Sequence, residues 1–176
     1  MMTGEKVGLR ARREADVPVL HAGLHDDVLV RSQSDTRPWQ PIGQDSAASP
    51  FAVSEPSEKV APFSVVDLDS QELVGAAMLW AIDSHNRTAH LGISVLPAFR
   101  GRGLGSDVVR VLCEYGFVVR GMQRLQLETL ADNAAMIAAA RKGGFTVEGT
   151  LRRSAWVYGG FKDVMVLGLL VDEWTT

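Results

Sequence analysis

The sequence predicts a mixed α/β (α+β) fold: a mostly antiparallel central sheet with one parallel pair, and helices on both faces. Two observations predict it. Three strand-like runs, Phe63 to Leu68, Leu73 to Ile82 and Thr88 to Leu96, are separated only by the turn sequences Asp69-Ser70-Gln71 and Asp83-Ser84-His85-Asn86. Connections this short join antiparallel neighbours, because parallel strands need a crossover of a dozen or more residues. After the third run the pattern becomes glycine-rich turn, long apolar-periodic helix, strand, and a strand reached through a helix lies parallel to the one before it.

Taken in order, residues 1–5 read as frayed. Val7 to Arg10 forms a first strand, and Glu14-Ala15-Asp16 starts a helix with Asp16 as cap and Pro18 in the first turn. That helix carries Val19, Leu20 and Leu24 and fades near Val30. His21 and His25 lie one helical turn apart on it. With no third ligand in any motif, they are expected on a solvated helix face and no metal site is expected. Residues 31–62 are rich in serine and proline, with one glycine and with Trp39, Ile42 and Phe51 as isolated apolar anchors. A long loop inside a domain is more often functional than idle, so this stretch is expected to form a partly helical flap beside a substrate site. Trp39 is its best candidate contact; the competing reading is that Trp39 pins the loop to the core.

The three antiparallel strands follow, then a helix from about Leu104 to Arg120 and a strand from Arg124 to Thr129. Ala131-Asp132-Asn133 opens a second helix through Lys142, which Gly143-Gly144 stops. Phe145 to Trp156, a turn at Tyr158-Gly159-Gly160, and Asp163 to Val171 complete the sheet. Trp80 and Trp156 fall within strands and are expected to pack, and His85 and Asn86 are explained as hydrogen-bonding turn residues. The whole reads as one domain, residues 1–176.

The stretch around which the chain is organised runs from His90 to Ser106. Its first half alternates as a strand should and Pro97 ends it. Arg100-Gly101-Arg102-Gly103-Leu104-Gly105-Ser106 is then a basic loop with three glycines opening a helix. Such a loop suits phosphate: glycines let successive N–H groups point inward, the helix N-terminus adds unpaired donors, and arginines add charge. A Walker A loop is excluded because no lysine precedes Ser106. A dinucleotide loop needs Gly-x-Gly-x-x-Gly, whereas this is Gly101-x-Gly103-x-Gly105; Glu128 keeps a weak case for it alive, and with it an oxidoreductase. Arg-x-x-Gly-x-Gly is satisfied in full by Arg100, Gly103 and Gly105.

On that motif, and on the order of elements around it, the chain resembles the GNAT superfamily of N-acetyltransferases, whose signature loop binds the pyrophosphate of acetyl-CoA. Leu9-Arg10 with Glu14-Ala15-Asp16, the segment Asn133 to Phe145, and Gly160-Phe161-Lys162-Asp163 resemble the RimJ/RimL branch of ribosomal-protein N-terminal acetyltransferases. The resemblance implies the GNAT fold, with its parallel pair splayed at the cofactor site, and direct attack of a primary amine on the acetyl thioester. It places acetyl-CoA on Arg100, Gly101, Arg102, Gly103, Leu104, Gly105 and Ser106 and on the main chain of Ile93, Ser94 and Val95. Asn133 matches a position that commonly contacts the cofactor, with N-capping as the alternative. No metal is implied. The acceptor is a protein N-terminus or a small-molecule amine, and relatives often form homodimers, although no interface can be located from sequence.

Two candidates stand for proton removal. Many relatives carry glutamate two residues before the glycine that matches Gly92; here the residue is His90, a side chain that titrates near neutrality. Glu128, at the end of the next strand, is the second candidate, and it can equally bind the substrate ammonium. At pH 7 an α-amino group of pKa near 8.0 costs about 1.4 kcal/mol to neutralise and a lysine near 10.4 costs about 4.6, so the lack of a committed strong base favours the former. The tyrosine by which many members protonate the leaving thiolate is replaced by Ala140, and a serine of this branch by Met136. Tyr158 and Ser154 are left as substitutes, and a thiol of pKa near 8.5 also leaves tolerably unaided. The missing acid keeps a second reading open, a protein that binds acyl-CoA without turning it over.

Composition bounds the rest. The 176 residues are 46% apolar and 22% charged, with net charge −3. These are the proportions of a globular chain with no basic surface for nucleic acid. No leader sequence or run of membrane-spanning length is read. The single cysteine, Cys113, falls in the buried pattern of the long helix, and a reducing cytoplasm is the expected compartment.

Overall fold

In the computed structural model, which describes residues 1–35 and 37–175, eight strands form one sheet. They are β1 (Met2–Thr3), β2 (Val7–Arg10), β3 (Ala61–Asp67), β4 (Leu73–Asp83), β5 (Thr88–Val95), β6 (Arg124–Leu130), β7 (Thr146–Val157) and β8 (Gly160–Leu170). The order across the sheet is β1-β2-β3-β4-β5-β6-β8-β7. Every neighbouring pair is antiparallel except β5 and β6. This is the predicted topology, and its antiparallel run β3-β4-β5 removes the doubly wound arrangement that an oxidoreductase reading requires. One correction falls at the start: residues 2–3 are not frayed but pair with Gly8 and Leu9 as an edge strand.

Period-two alternation assigns the two faces. Val7, Leu9, Val65, Val74, Ala77, Leu79, Leu91, Leu125, Leu127, Leu167 and Leu169 point to one side, where they meet Val108, Leu112 and Cys113 of α3 (Leu104–Glu114) and Ala139 and Ala140 of α4 (Ala134–Lys142). Each such fully buried Leu or Val contributes about 1.5–3 kcal/mol. A π-helical turn, Tyr115–Val119, extends α3 to the length predicted. The Asn133 side chain caps α4 by accepting from Met136 N–H at 3.2 Å, and Gly144, at φ +94°, turns the chain out of the helix as the double glycine anticipated.

The opposite face is covered by α1 (Val17–Leu24) and the segment after it. Leu20 and Leu24 pack with Ala76, Leu96 and Phe51. The predicted long first helix is in fact two: α1 ends at Leu24, and α2 (Val28–Ser34) starts afresh because Asp27 accepts from the N–H groups of Leu29 and Val30. Among the described residues between Ser34 and Ala61 there is no further helix or strand. That stretch is mostly exposed but is anchored on α1 and its C-terminal end by Phe51, Trp39 and the Gln40 carbonyl. Asp16 ties α1 to the sheet, accepting from Arg10, from Arg13 N–H and from Ser64 Oγ. Although burial pushes its pKa up, those donors hold it at about 2.

The covering corrects two sequence readings. His21 and His25 are not solvated; they are 2% and 3% exposed, with rings 4.6 Å apart. Asp26 meets His21 Nδ1 at 2.9 Å and the Gln40 carbonyl meets His25 Nε2 at 3.0 Å. The cause is the long connection, which lies over the helix and hides a face that would otherwise be wet. The tryptophans are corrected the other way. Trp80 is 39% and Trp156 59% exposed, each packed only against a neighbouring ring, His90 and Phe161 respectively, rather than in the core.

Candidate active site

The loop from Arg100 to Ser106 has the backbone a phosphate cradle needs. Gly101 and Gly103 sit at φ +77° and +78°, a conformation that costs an L-residue about 1–2 kcal/mol. Gly103 is the N-cap of α3, so the first N–H groups of the helix, from Leu104 through Ser106, have no intrahelical partner. Gly105 faces Ala139 of α4 at 4.0 Å from where a Cβ would be. Arg100 Nε donates to the Val95 carbonyl at 3.1 Å and Arg102 Nη2 to the Ala98 carbonyl at 3.2 Å. Neither arginine is ion-paired among the described residues, and the Arg102 guanidinium lies over the Phe99 ring at 5.0 Å. The exposed glycines, unspent helix donors and free cations together fit a diphosphate.

Sequence reasoning missed what holds this loop in place. Asp107, in the first turn of α3, accepts from the N–H groups of Glu5, Lys6 and Val7 at 3.2, 2.8 and 3.0 Å. Burial raises its pKa, but those three donors and Arg110 hold it below the usual carboxylate range. The anchor leaves Lys6 Nζ 3.4 Å from the Arg102 carbonyl, a third cation beside the loop.

Beyond the loop the sheet opens. β5 and β6 are in register only at Thr88↔Arg124, Ala89↔Leu125 and His90↔Gln126. From Leu91 onward β5 keeps β4 on one edge, through Ile93↔Ala77, Ser94↔Ala76 and Val95↔Gly75, and has no strand on the other. β6 meanwhile turns to β8 along its whole length. The main chain of Ile93, Ser94 and Val95 therefore borders a slot between diverging strands, leading from the phosphate cradle to the last rung at His90. Asn133 stands on the far side, on the α4 side of the slot, with its amide already engaged by Met136 N–H and, through Nδ2, by Thr129 Oγ1 at 3.0 Å.

At that last rung the structure brings together the two predicted proton acceptors. His90 Nδ1 lies 4.0 Å from Glu128 Oε1. The same Nδ1 is buried without a hydrogen-bond partner, and the Glu128 carboxylate, 4.0 Å away, is the anionic group nearest to it in an ion-pair geometry. Burial lowers the pKa of His90 below 6.5, Arg124 lowers it too, and Glu128 opposes both. The imidazole is accordingly neutral at pH 7. Trp80, directly across from His90 in the β4–β5 register, lays its ring 4.6 Å from the imidazole. One extra residue follows in β4, with Ala81 at φ +48°, and this bulge sets the local twist beside the pair. The sequence carried a signal for Trp80: Met78 and Trp80 share the period-two face that opposes Gly92 and His90.

The remaining predicted positions are placed as follows. Trp39 is half-buried, its indole N–H donating to the His25 carbonyl at 2.9 Å and its ring stacked on His25 at 6.1 Å. Ala140 is fully buried and Met136 packs on the core, so neither gives a proton. Tyr158 stands at φ +38° on the exposed β7–β8 turn. No group of three or more histidine, cysteine or acidic side chains is placed to hold a metal among the described residues. Among those residues, too, no helix is long and apolar enough to cross a membrane.

Known proteins share this fold. Residues 6–146 match the family described as Acetyltransferase (GNAT) domain. The spermidine N(1)-acetyltransferase of Escherichia coli (strain K12) is 26% identical over 94% of this chain and 86% of its own. The crystal structure of spermidine N-acetyltransferase from Vibrio cholerae, in complex with CoA and spermine, superposes with a TM-score of 0.84 at 21% identity, covering 95% of this chain and 96% of that one. RimL, a ribosomal L7/L12 alpha-N-protein acetyltransferase in complex with CoA, superposes at 0.80 with 23% identity over 96% of both chains. The chain belongs to the GNAT acetyltransferase family and is an acetyl-CoA-dependent N-acetyltransferase.

Proposed function

We propose that His90 is the general base of this transferase, that Glu128 holds its tautomer, and that the acceptor is an α-amino group of ordinary pKa. The observation that carries the reading is the buried, unpartnered His90 Nδ1 facing Glu128 at the end of the slot. With its proton on Nδ1 toward the carboxylate, the ring presents the Nε2 lone pair to the substrate. The diphosphate of acetyl-CoA rests on the N–H groups of Gly101 through Ser106 with Arg100 and Arg102, and its pantetheine amides pair with Ile93, Ser94 and Val95. The amine attacks the thioester carbonyl, a C–N bond forms, the C–S bond breaks, and the nitrogen's proton passes to His90 Nε2. CoA leaves as thiolate.

The acceptor reading rests on charge. A polycation needs several free carboxylates, but those of the α1–α2 segment are already engaged. Asp26 meets His21, Asp27 caps α2, and Asp35 is bound by Arg31 and Arg37 at 2.5 and 2.7 Å. A base of histidine strength also suits an amine that costs about 1.4 kcal/mol to neutralise at pH 7 better than one that costs about 4.6. The similarity to spermidine acetyltransferases supplies the competing acceptor.

The test is thiol release from acetyl-CoA across a panel of free-N-terminal peptides, amino acids, aminoglycosides, spermidine and spermine. Turnover with α-amines above that with polyamines is the expected result, and the reverse order would replace the acceptor. We also take residues 1–176 as one domain and assign it to the cytoplasm, where a buried free thiol such as Cys113 stays reduced.

A further inference from the structure

His90 and Glu128 end a row of polar side chains that crosses four strands, and the transfer chemistry above leaves the rest of that row unexplained. Arg124, Gln126 and Glu128 alternate along one face of β6. Gln126 Nε2 donates to Glu128 Oε1 at 2.9 Å, and Arg124 Nη2 donates to Gln126 Oε1 at 3.2 Å. Arg124 also grips Glu148 of β7 with both nitrogens, Nη1 to Oε1 at 2.7 Å and Nη2 to Oε2.

That grip is built by two special residues in the strands around it. Glu148 is the extra residue of a bulge in β7, where the register jumps from Val147↔Leu167 to Gly149↔Val166. Gly168 of β8 lies beneath the ion pair; a Cβ there would strike Glu148 Oε1 and come within 2.8 Å of Arg124 Nη1. Bulge and glycine together let the pair lie across β8.

The row has a direction. Arginine has only donors, so Gln126 must turn its oxygen to Arg124 and its NH2 to Glu128. A glutamine free to flip would as often show Glu128 a repelling oxygen. Glu148, in turn, neutralises Arg124, so the arginine orients the amide without capturing Glu128 for itself.

We propose that Gln126 is a positioning residue, locked by Arg124 into the one amide orientation that holds the Glu128 carboxylate facing His90 Nδ1. The proposal rests on His90 as the base. The charged groups facing His90 are Glu128 and Arg124, both on β6; the neighbour on β4, Trp80, is uncharged, and Glu148 acts through Arg124.

The experiment compares Gln126→Met, Gln126→Glu and His90→Gln with the wild-type chain, using acetyl-CoA and whichever amine the panel shows it acetylates. Gln126→Met keeps side-chain volume and removes the donor. It is expected to lower kcat about tenfold or more, with KM for acetyl-CoA within about twofold and an unchanged melting temperature. Gln126→Glu sets a second carboxylate beside the pair and is expected to move the acid limb of kcat/KM up by about one pH unit. Wild-type turnover by Gln126→Met would overturn the proposal. So would an acid limb that stays in place in Gln126→Glu, or a loss of turnover that tracks a loss of melting temperature. Full turnover by His90→Gln would instead remove the base, and the positioning with it. A dead His90→Gln beside a wild-type Gln126→Met would leave the base standing and sink the positioning alone.

Discussion

The two halves of the active site are made of different materials. As proposed, the cofactor half is backbone: two left-handed glycines, the unspent N–H groups at the start of α3, and the edge of β5 that no strand pairs. The acceptor half, as proposed, is side chains, gathered from β4, β5 and β6 and flanked by residues of β7 and β8. Backbone donors tolerate exchange of most side chains and fail only where a glycine's φ is lost. A side-chain site fails whenever one member of the set moves. On the proposed site, the comparison predicts that this chain's affinity for its donor and its choice and deprotonation of the acceptor are separable properties.

The sharpest way to break that separation is at His90. Replacing it with glutamine is expected to lower kcat at least about 100-fold, the lower range for general-base catalysis, while calorimetric affinity for CoA stays within twofold. The wild-type acid limb of kcat/KM should have its midpoint below 6.5, since burial disfavours the charged ring, and the variant should lose that limb. An acid limb retained in the variant would give the proton to another group.

The mirror experiment lies at Gly103. A substitution by aspartate adds left-handed strain of about 1–2 kcal/mol and sets a negative charge against the diphosphate. The dissociation constant for CoA should rise at least about tenfold, with the fold intact by circular dichroism. Unchanged affinity would mean that the diphosphate binds elsewhere.

Stability tests come next. Asp16 has a folded pKa of about 2 against an unfolded value near 3.9, so its contribution is full above pH 4 and is lost as pH falls through 2. Asp16→Asn should therefore cost about 2 kcal/mol at pH 7 in urea unfolding, and the difference from wild type should vanish near pH 2. A constant difference across that range would assign the effect to packing of α1 rather than to charge.

The smallest effect separates two readings of Trp39. If the indole only anchors the covering segment to His25, Trp39→Phe removes one hydrogen bond and costs about 1 kcal/mol of stability. KM for the amine then stays the same. A tenfold rise in KM for the amine with no loss of stability would make Trp39 a substrate contact instead.

Particular residues show how far the sequence could be read. Gly101 and Gly103 mark the candidate phosphate loop because positive φ is a local demand, met within a few consecutive residues. The turns at 69–71 and 83–86 declare the antiparallel run for the same reason, and Asn133 and Gly144 declare the ends of α4. His21, His25, Trp80 and Trp156 were misread for the opposite reason. Whether a helix face or strand face is wet depends on what distant chain lies across it, and residues 37–60 carry no periodic pattern to announce where they settle.

By itself, then, the sequence determined the order and type of nearly every element and the candidate phosphate loop, which rest on contacts between near neighbours in the chain, and the single parallel pair, which the intervening helix dictates. Only the tertiary structure decided that His90 stands by Glu128, that Trp80 covers it, and that Arg124 reaches Glu148 over Gly168. Those meetings depend on strand register, where one bulged residue shifts every later partner by a place, and register is an outcome of the whole sheet packing at once.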